Sequence, residues 1–203
     1  MDLPTLVKDA LAVFGDLFDH DPARHHFAES LTGLMVAETK TVRGIKREFV
    51  VTTDQACWHR WLTEAQWEVQ ALHDRRLAWL PRDPRTRYSP RSVIAIDNPL
   101  GEHAGKLLED VGWLGEHADQ RHGSAHDYLI SNYVCPSEKH SPIEWRRVTK
   151  RDACKEGACK DHTELGSELM DDAMTRAIPG DFTCDGSFSS AKGLHPIHSQ
   201  QRA

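Results

Sequence analysis

Arg91-Ser92-Val93-Ile94-Ala95-Ile96-Asp97-Asn98-Pro99 is the stretch on which the fold turns. Ser92 to Ile96 is a short apolar run rich in β-branched residues, the pattern of a buried strand. Asp97-Asn98-Pro99 ends it. A carboxylate at the C-terminal end of a strand is held rigidly and faces solvent, a common place for a metal ligand. Immediately before this strand, Pro81-Arg82-Asp83-Pro84-Arg85-Thr86-Arg87-Tyr88-Ser89-Pro90 carries three prolines and few apolar residues. Proline lacks the N–H and clashes with the preceding turn, so no helix continues here. Residues 81–91 are therefore expected to be a basic, Pro-rich linker between two differently built regions.

On the N-terminal side, residues 1–80 have helical periodicity. Leu6, Val7, Leu11, Phe14, Leu17 and Phe18 recur at steps near three and four, as one buried helix face requires. Asp21-Pro22 punctuates the chain and starts a second helix, with Pro22 at its first position and Phe27, Leu31, Leu34 and Met35 as its apolar face. A short helix from Val42 to Val50, a turn at Thr52-Thr53 and a helix from Asp54 to Leu62 follow. Thr63-Glu64-Ala65-Gln66 has the form of a capping box and is expected to open a helix to about Leu80. Trp67, Leu72, Leu77 and Leu80 are available for its packing.

On the C-terminal side, Ala125 to Val134 and Ile143 to Val148 are further strand candidates, the second alternating. Asp161 to Ala177 is expected to be a helix with Leu165, Leu169, Ala173 and Met174 on one face. Ile178-Pro179-Gly180 breaks it, and Asp181 to Asp185 is a short extended segment. Gly186 to Ala203 has no convincing element. The fold class expected is α+β, a helical domain at 1–80 followed by strands and helices at 92–203.

The bulk numbers bound the function. The chain has 203 residues, 39% hydrophobic and 28% charged, with a formal net charge of −6. A protein that only coats DNA is usually basic, so this balance disfavours a pure nucleic-acid clamp. It leaves room for a nuclease, because metal-holding carboxylates lower the net charge. The five cysteines are odd in number and scattered, which fits a reducing compartment better than a disulfide framework. No signal peptide and no membrane-length apolar run is seen, so a cytoplasmic location is expected.

Asp97 and Asp185 both follow apolar strand-like segments. Two carboxylates on neighbouring strand ends can jointly hold Mg²⁺ through oxygen ligands. Paired ions activate the attacking oxygen and stabilise the leaving one in phosphodiester cleavage. The alternative for each is an ordinary turn aspartate. Thirteen histidines raise zinc as a further option, but no His-Glu-x-x-His or paired Cys-x-x-Cys set occurs, and Cys154 and Cys159 are five apart, so solvated histidines are the default. Thr41 to Leu62 is compatible with a helix-turn-helix whose second helix offers Gln55, His59 and Arg60, or with a plain helical hairpin. Arg82, Arg85, Arg87 and Arg91 can follow a DNA backbone, or line a solvated linker.

The order of these segments resembles the IS701-like group of DDE-type, IS4-related insertion-sequence transposases. Leu72-His73-Asp74-Arg75-Arg76-Leu77, Arg82-Asp83-Pro84-Arg85-Thr86-Arg87 and Ile94-Ala95-Ile96-Asp97-Asn98 are similar to the approach to that family's catalytic domain. So are His103-Ala104-Gly105-Lys106, Val111-Gly112-Trp113, Asn132-Tyr133-Val134-Cys135 and Pro142-Ile143-Glu144-Trp145-Arg146-Arg147. Lys160-Asp161-His162-Thr163 and Pro179-Gly180-Asp181-Phe182-Thr183-Cys184-Asp185 complete the series. The resemblance runs from about residue 14 almost to the end, and its specificity lies in order and spacing rather than in one motif.

The resemblance implies an RNase H-like mixed sheet flanked by helices and a DDE triad that binds two Mg²⁺ or Mn²⁺ ions. It implies attack on DNA at an element's ends, a front domain that binds terminal inverted repeats, and a homodimer. Asp97 and Asp185 would be catalytic and metal-binding. Two departures stand out. The family's Asp-Asp-Thr is here Asp97-Asn98-Pro99, and if the second position of the pair is the ligand, a neutral amide replaces it. The family's final Glu lies well beyond the second Asp, whereas Ala203 comes 18 positions after Asp185. The expectation is a truncated copy with an incomplete sheet, marginally stable and without strand transfer of its own. Two other readings are a non-catalytic DNA-binding remnant that occupies inverted repeats or inhibits an intact transposase, and a small metal-dependent hydrolase using histidines and acids.

Overall fold

The apolar run before Asp97 is β1 (Val93–Asp97), one edge partner of a long strand, β4 (Arg121–Val134), that organises the second half of the chain. The computed structural model describes residues 3–49, 54–102, 111–116, 121–149 and 159–185. The chain divides into two compact units, Met1–Trp79 and Leu80–Ala203. Among the described residues the architecture is α+β, with six α-helices and a six-stranded mixed sheet. None of the described helices is long and apolar enough to cross a membrane.

The first unit is helical: α1 (Thr5–Phe14), α2 (Asp21–Val36), α3 (Val42–Arg47), α4 (Gln55–Glu64) and α5 (Val69–Trp79). The face expected to run unbroken from Leu6 to Phe18 is interrupted. α1 stops at Phe14, and Gly15–Leu17 tighten into a 3₁₀ turn. That turn brings Phe18 into the core with Val7, Ala10 and Phe14, while Leu6 remains 54% exposed. At the start of α2 the His20 Nδ1 accepts from the Ala23 N–H at 3.1 Å, and Pro22 sits in the first turn, where its missing N–H costs nothing. The core is aromatic: Phe18 lies 4.8 Å from Phe27, and Trp61 lies 4.4 Å from Trp67, ring centre to ring centre.

The capping box expected at Thr63 is not formed. α4 continues through Glu64, and the Thr63 hydroxyl donates to the His59 carbonyl at 2.9 Å, a bond made inside a helix. α5 opens only at Val69. The physical reason is Trp67: its Nε1–H donates to the Trp61 carbonyl at 3.2 Å and its ring covers Trp61 and Phe18. Folding the chain back this way takes the residues between the helices out of helical geometry. α3 ends at Arg47, while Val50 and the turn expected at Thr52-Thr53 lie outside the described residues.

In the second unit β4 is paired along its whole length. At its C-terminal half, Ile130 faces Asp97 of β1 on one edge and Trp145 of β5 (His140–Arg147) on the other. At its N-terminal half, Ala125 faces Glu102 of β2 (Leu100–Glu102) and Gly112 of β3 (Gly112–Glu116). All four pairings are antiparallel. β6 (Asp181–Cys184) lies parallel to β1 on its free edge, giving the local order β5-β4-β1-β6. Pro142 is accommodated because it falls at a register shift in β5, where ladder bonds are already interrupted.

The connection from β5 to β6 contains α6 (His162–Thr175). Asp161 caps it in a reciprocal box with Glu164, and Leu165, Leu169 and Met170 pack on Ile96 and Leu129. The chain leaves α6 through Ala177 at φ 52° and Gly180 at φ 145°. A Cβ on Gly180 would lie 2.8 Å from the Ser92 carbonyl oxygen, so only glycine brings the chain this close to β1. The Asp181 N–H then donates to that same carbonyl at 3.0 Å, which starts the parallel pairing.

Residues 81–91 are fastened to the end of β4. The Tyr133 hydroxyl donates to the Arg87 carbonyl at 3.3 Å and accepts from the Ser89 N–H at 2.6 Å, and Tyr88 meets the Tyr133 ring edge-on. The Cys135 thiol and the Ser137 hydroxyl both donate to the Arg85 carbonyl, at 2.9 and 2.6 Å.

Candidate functional site

Parallel pairing decides where the two candidate metal ligands fall. Ile96 is the partner of Cys184. The next position on each strand is Asp97 and Asp185. Neighbouring strands run about 4.8 Å apart, so the two carboxylates leave adjacent strand ends side by side. Ile94 and Ile96 are buried, and Ile96, Phe182 and Cys184 pack on the α6 side. Alternation therefore turns Asp97 to the opposite face, and one more step turns Asp185 the same way. Both are exposed. Asp97 Oδ1 accepts from the Asn98 N–H at 2.9 Å, which restrains its rotation. Burial raises the Cys184 thiol pKa, and the negative charge of Asp185 adds to the shift, so that carboxylate lies near enough to be felt.

Asn98 faces the other way. Its Nδ2 lies 3.5 Å from Asp127 Oδ1, and Asp127 Oδ2 is 2.8 Å from His162 Nε2 at the start of α6. The Asp127 side chain is only 16% exposed. Asp97, rather than Asn98, thus shares a face with Asp185. The sequence alone gives Asp127 no role and places His162 only in the Lys160-Asp161-His162-Thr163 segment of the resemblance. The available signal was a carboxylate in the Leu129, Ser131, Tyr133 alternation, where an apolar residue is expected.

The Asp97–Asp185 pair offers hard oxygen donors, the kind that Mg²⁺ or Mn²⁺ takes. It falls short in number: among the described residues no group of three or more His, Cys, Asp or Glu is arranged to hold a metal ion. Three histidines of the helical unit are engaged within it. His25 Nε2 and His26 Nδ1 lie 3.4 and 3.2 Å from the buried Glu29 carboxylate, and His20 caps α2. Cys154 lies outside the described residues, and Cys159 is disulfide-bonded, which departs from the expectation of scattered, reduced cysteines.

The four arginines expected to meet phosphate, Arg82, Arg85, Arg87 and Arg91, are all exposed. Arg85 is engaged by Asp83 through its Nε and Nη2, the shortest contact being 2.7 Å. The Arg85 guanidinium in turn holds the Asp83 pKa down at about 2. In the helical unit Trp58 and Trp61 turn inward from α4, leaving Gln55, His59 and Arg60 on its exposed side. No protein-family model matches the chain, and a search of curated proteins finds no match either.

Proposed function

We propose that the chain is a DDE-type transposase protein of the IS701-like group. In this reading the second unit is an RNase H-like sheet, Asp97 and Asp185 are its metal-binding carboxylates, and the helical unit binds the terminal inverted repeats. The observation that carries the reading is the β1–β6 register, which sets two strand-end aspartates beside each other in a sheet of order β5-β4-β1-β6. It is supported by the helix inserted between β5 and β6, as a parallel return to β1 requires. A bound Mg²⁺ or Mn²⁺ would supply Lewis-acid activation of a scissile phosphate and of its attacking water.

The chain's own residues have more limited tasks. Asp97 and Asp185 hold the ion, and the Asn98 N–H steadies Asp97. Arg82, Arg87 and Arg91 meet the DNA backbone, and a homodimer spans paired ends. With two carboxylates at the described strand ends, DNA binding is the expected measurable activity and cleavage is expected near the detection limit.

Gel-shift titration tests this with duplexes carrying the inverted repeats that flank the coding sequence. A retarded band that weakens with salt and is stronger than with a scrambled duplex is expected. No retardation, or equal retardation of both duplexes, overturns the proposal. Asp97→Asn with Asp185→Asn should abolish Mn²⁺ binding measured by electron paramagnetic resonance and leave the retarded band in place. Undiminished Mn²⁺ binding in that double variant removes the assignment of the pair.

A further inference from the structure

The strand that carries Asp97 is interrupted rather than finished there. Asp97 pairs with Ile130 and Leu100 with Asp127, so β1 and β2 keep one register along β4, broken only at Asn98-Pro99. Pro99 has no N–H to give the ladder. The Asn98 N–H does not serve the ladder either, since it donates to Asp97 Oδ1 at 2.9 Å. The break therefore has no ladder donor of its own, and the peptide that steadies Asp97 depends on side chains to hold it.

Asn98 is held from the α6 face. Its Nδ2 donates to Asp127 Oδ1 at 3.5 Å, and His162 Nε2 lies 2.8 Å from Asp127 Oδ2. The Asp127 side chain is largely buried, and each of its oxygens has one of these two partners. His162 opens α6 directly after Asp161, whose reciprocal box with Glu164 fixes where the helix begins. A carboxylate that only tied α6 to the sheet would need one oxygen. Here the second reaches the strand break. A path of hydrogen bonds thus runs from α6 through His162, Asp127 and Asn98 to the Asp97 carboxylate. Groups behind a metal ligand set its orientation, and their loss typically weakens metal binding by about 10–100-fold.

We propose that Asp127, braced by His162, is a positioning residue for the carboxylate pair: it holds Asn98 so that the Asn98 N–H keeps Asp97 turned toward Asp185. Neither Asp127 nor His162 touches the ion. The inference rests on the reading of Asp97 and Asp185 as metal ligands.

Mn²⁺ titration of the intact chain, read by electron paramagnetic resonance, is the test. Asn98→Ala keeps the backbone N–H and the net charge but cuts the path, and is expected to raise the Mn²⁺ Kd about tenfold. Asp127→Ala should raise it at least as much. The double variant should be no weaker than Asp127→Ala alone, because both substitutions break one path. His162→Ala should weaken binding, and His162→Gln, whose amide can still donate to Asp127, should return it to near the starting value. Unchanged affinity in Asn98→Ala, additive losses in the double variant, or equal weakening by His162→Ala and His162→Gln overturns the proposal. Absence of Mn²⁺ binding by the unsubstituted chain removes the Asp97–Asp185 assignment and this inference with it. Binding that Asp97→Asn abolishes and Asn98→Ala leaves unchanged removes this inference alone.

Discussion

Asp97 and Asn98 are adjacent in the chain and point to opposite faces of the sheet, and that single fact sorts the candidate chemistry. Asp185 shares the Asp97 face and acts on its neighbour Cys184, whose thiol pKa is raised by burial first and by the Asp185 charge second. Asp185→Asn is therefore expected to lower the Cys184 pKa and speed its alkylation at pH 8, as followed by mass spectrometry of the Cys184 peptide. An unchanged rate would mean that the carboxylate points away. At Asp83 the sign runs the usual carboxylate way. The folded pKa of about 2 lies below the ordinary value of 3.8, so the Asp83–Arg85 pairing contributes fully above that ordinary value and is lost as pH falls through about 2. Arg85→Gln is expected to return the Asp83 titration, read by carboxyl ¹³C shifts, toward 3.8. Asp83→Asn releases Arg85, and a stronger gel shift is expected if this segment meets phosphate.

Among the elements, close packing fixes which glycines can change. A Cβ on Gly44 would lie 2.2 Å from the Thr39 carbonyl oxygen, a backbone atom with little room to retreat. Alanine gains about 1 kcal/mol of helix propensity there, but overpacking costs about 1–3 kcal/mol. Gly44→Ala should therefore lower the melting temperature, and a rise would contradict the close contact. Asp161→Ala removes one half of the α6 capping box and is expected to cost about 1 kcal/mol in chemical denaturation. The elements legible in the sequence were those with a clean period and a hard stop. β1, β5, β6 and α6 fall within a few residues of the segments Ser92–Ile96, Ile143–Val148, Asp181–Asp185 and Asp161–Ala177. β2 and β3 were not legible, because Leu100-Gly101-Glu102 is three residues long and Gly112-Trp113-Leu114-Gly115-Glu116 has two glycines and a Trp113 that is 74% exposed. The site divides the same way. Asp97 and Asp185 stood out as strand-end acids, but their adjacency depends on β6 pairing with β1, and the Asp127–His162 contact joins residues 35 apart. Neither long-range pairing has a local signal.

At the level of the whole molecule, each unit has a core of its own. Phe14, Phe18, Phe27, Trp58 and Trp61 form one in the helical unit, and Ile96, Leu129, Leu165, Leu169 and Met170 form another between α6 and the sheet. Among the described residues none belongs to both clusters. Cooperativity follows shared buried contacts, so a chain with separate cores is expected to depart from a single two-state transition. Calorimetry of the intact chain should need two transitions. Phe27→Ala, which empties a buried aromatic site, is expected to destabilise the first unit by about 3–5 kcal/mol, and Leu169→Ala the second by about 2–5 kcal/mol. Each substitution should shift one transition and leave the other within error. If both variants instead move one shared transition by comparable amounts, the two cores are thermodynamically one, and the proposed DNA binding would then be sensitive to a lesion at the Asp97–Asp185 strand ends. Independent transitions would make the helical unit a body whose stability does not depend on the sheet, which is the condition under which carboxylate variants can test the proposed metal binding without disturbing the gel shift.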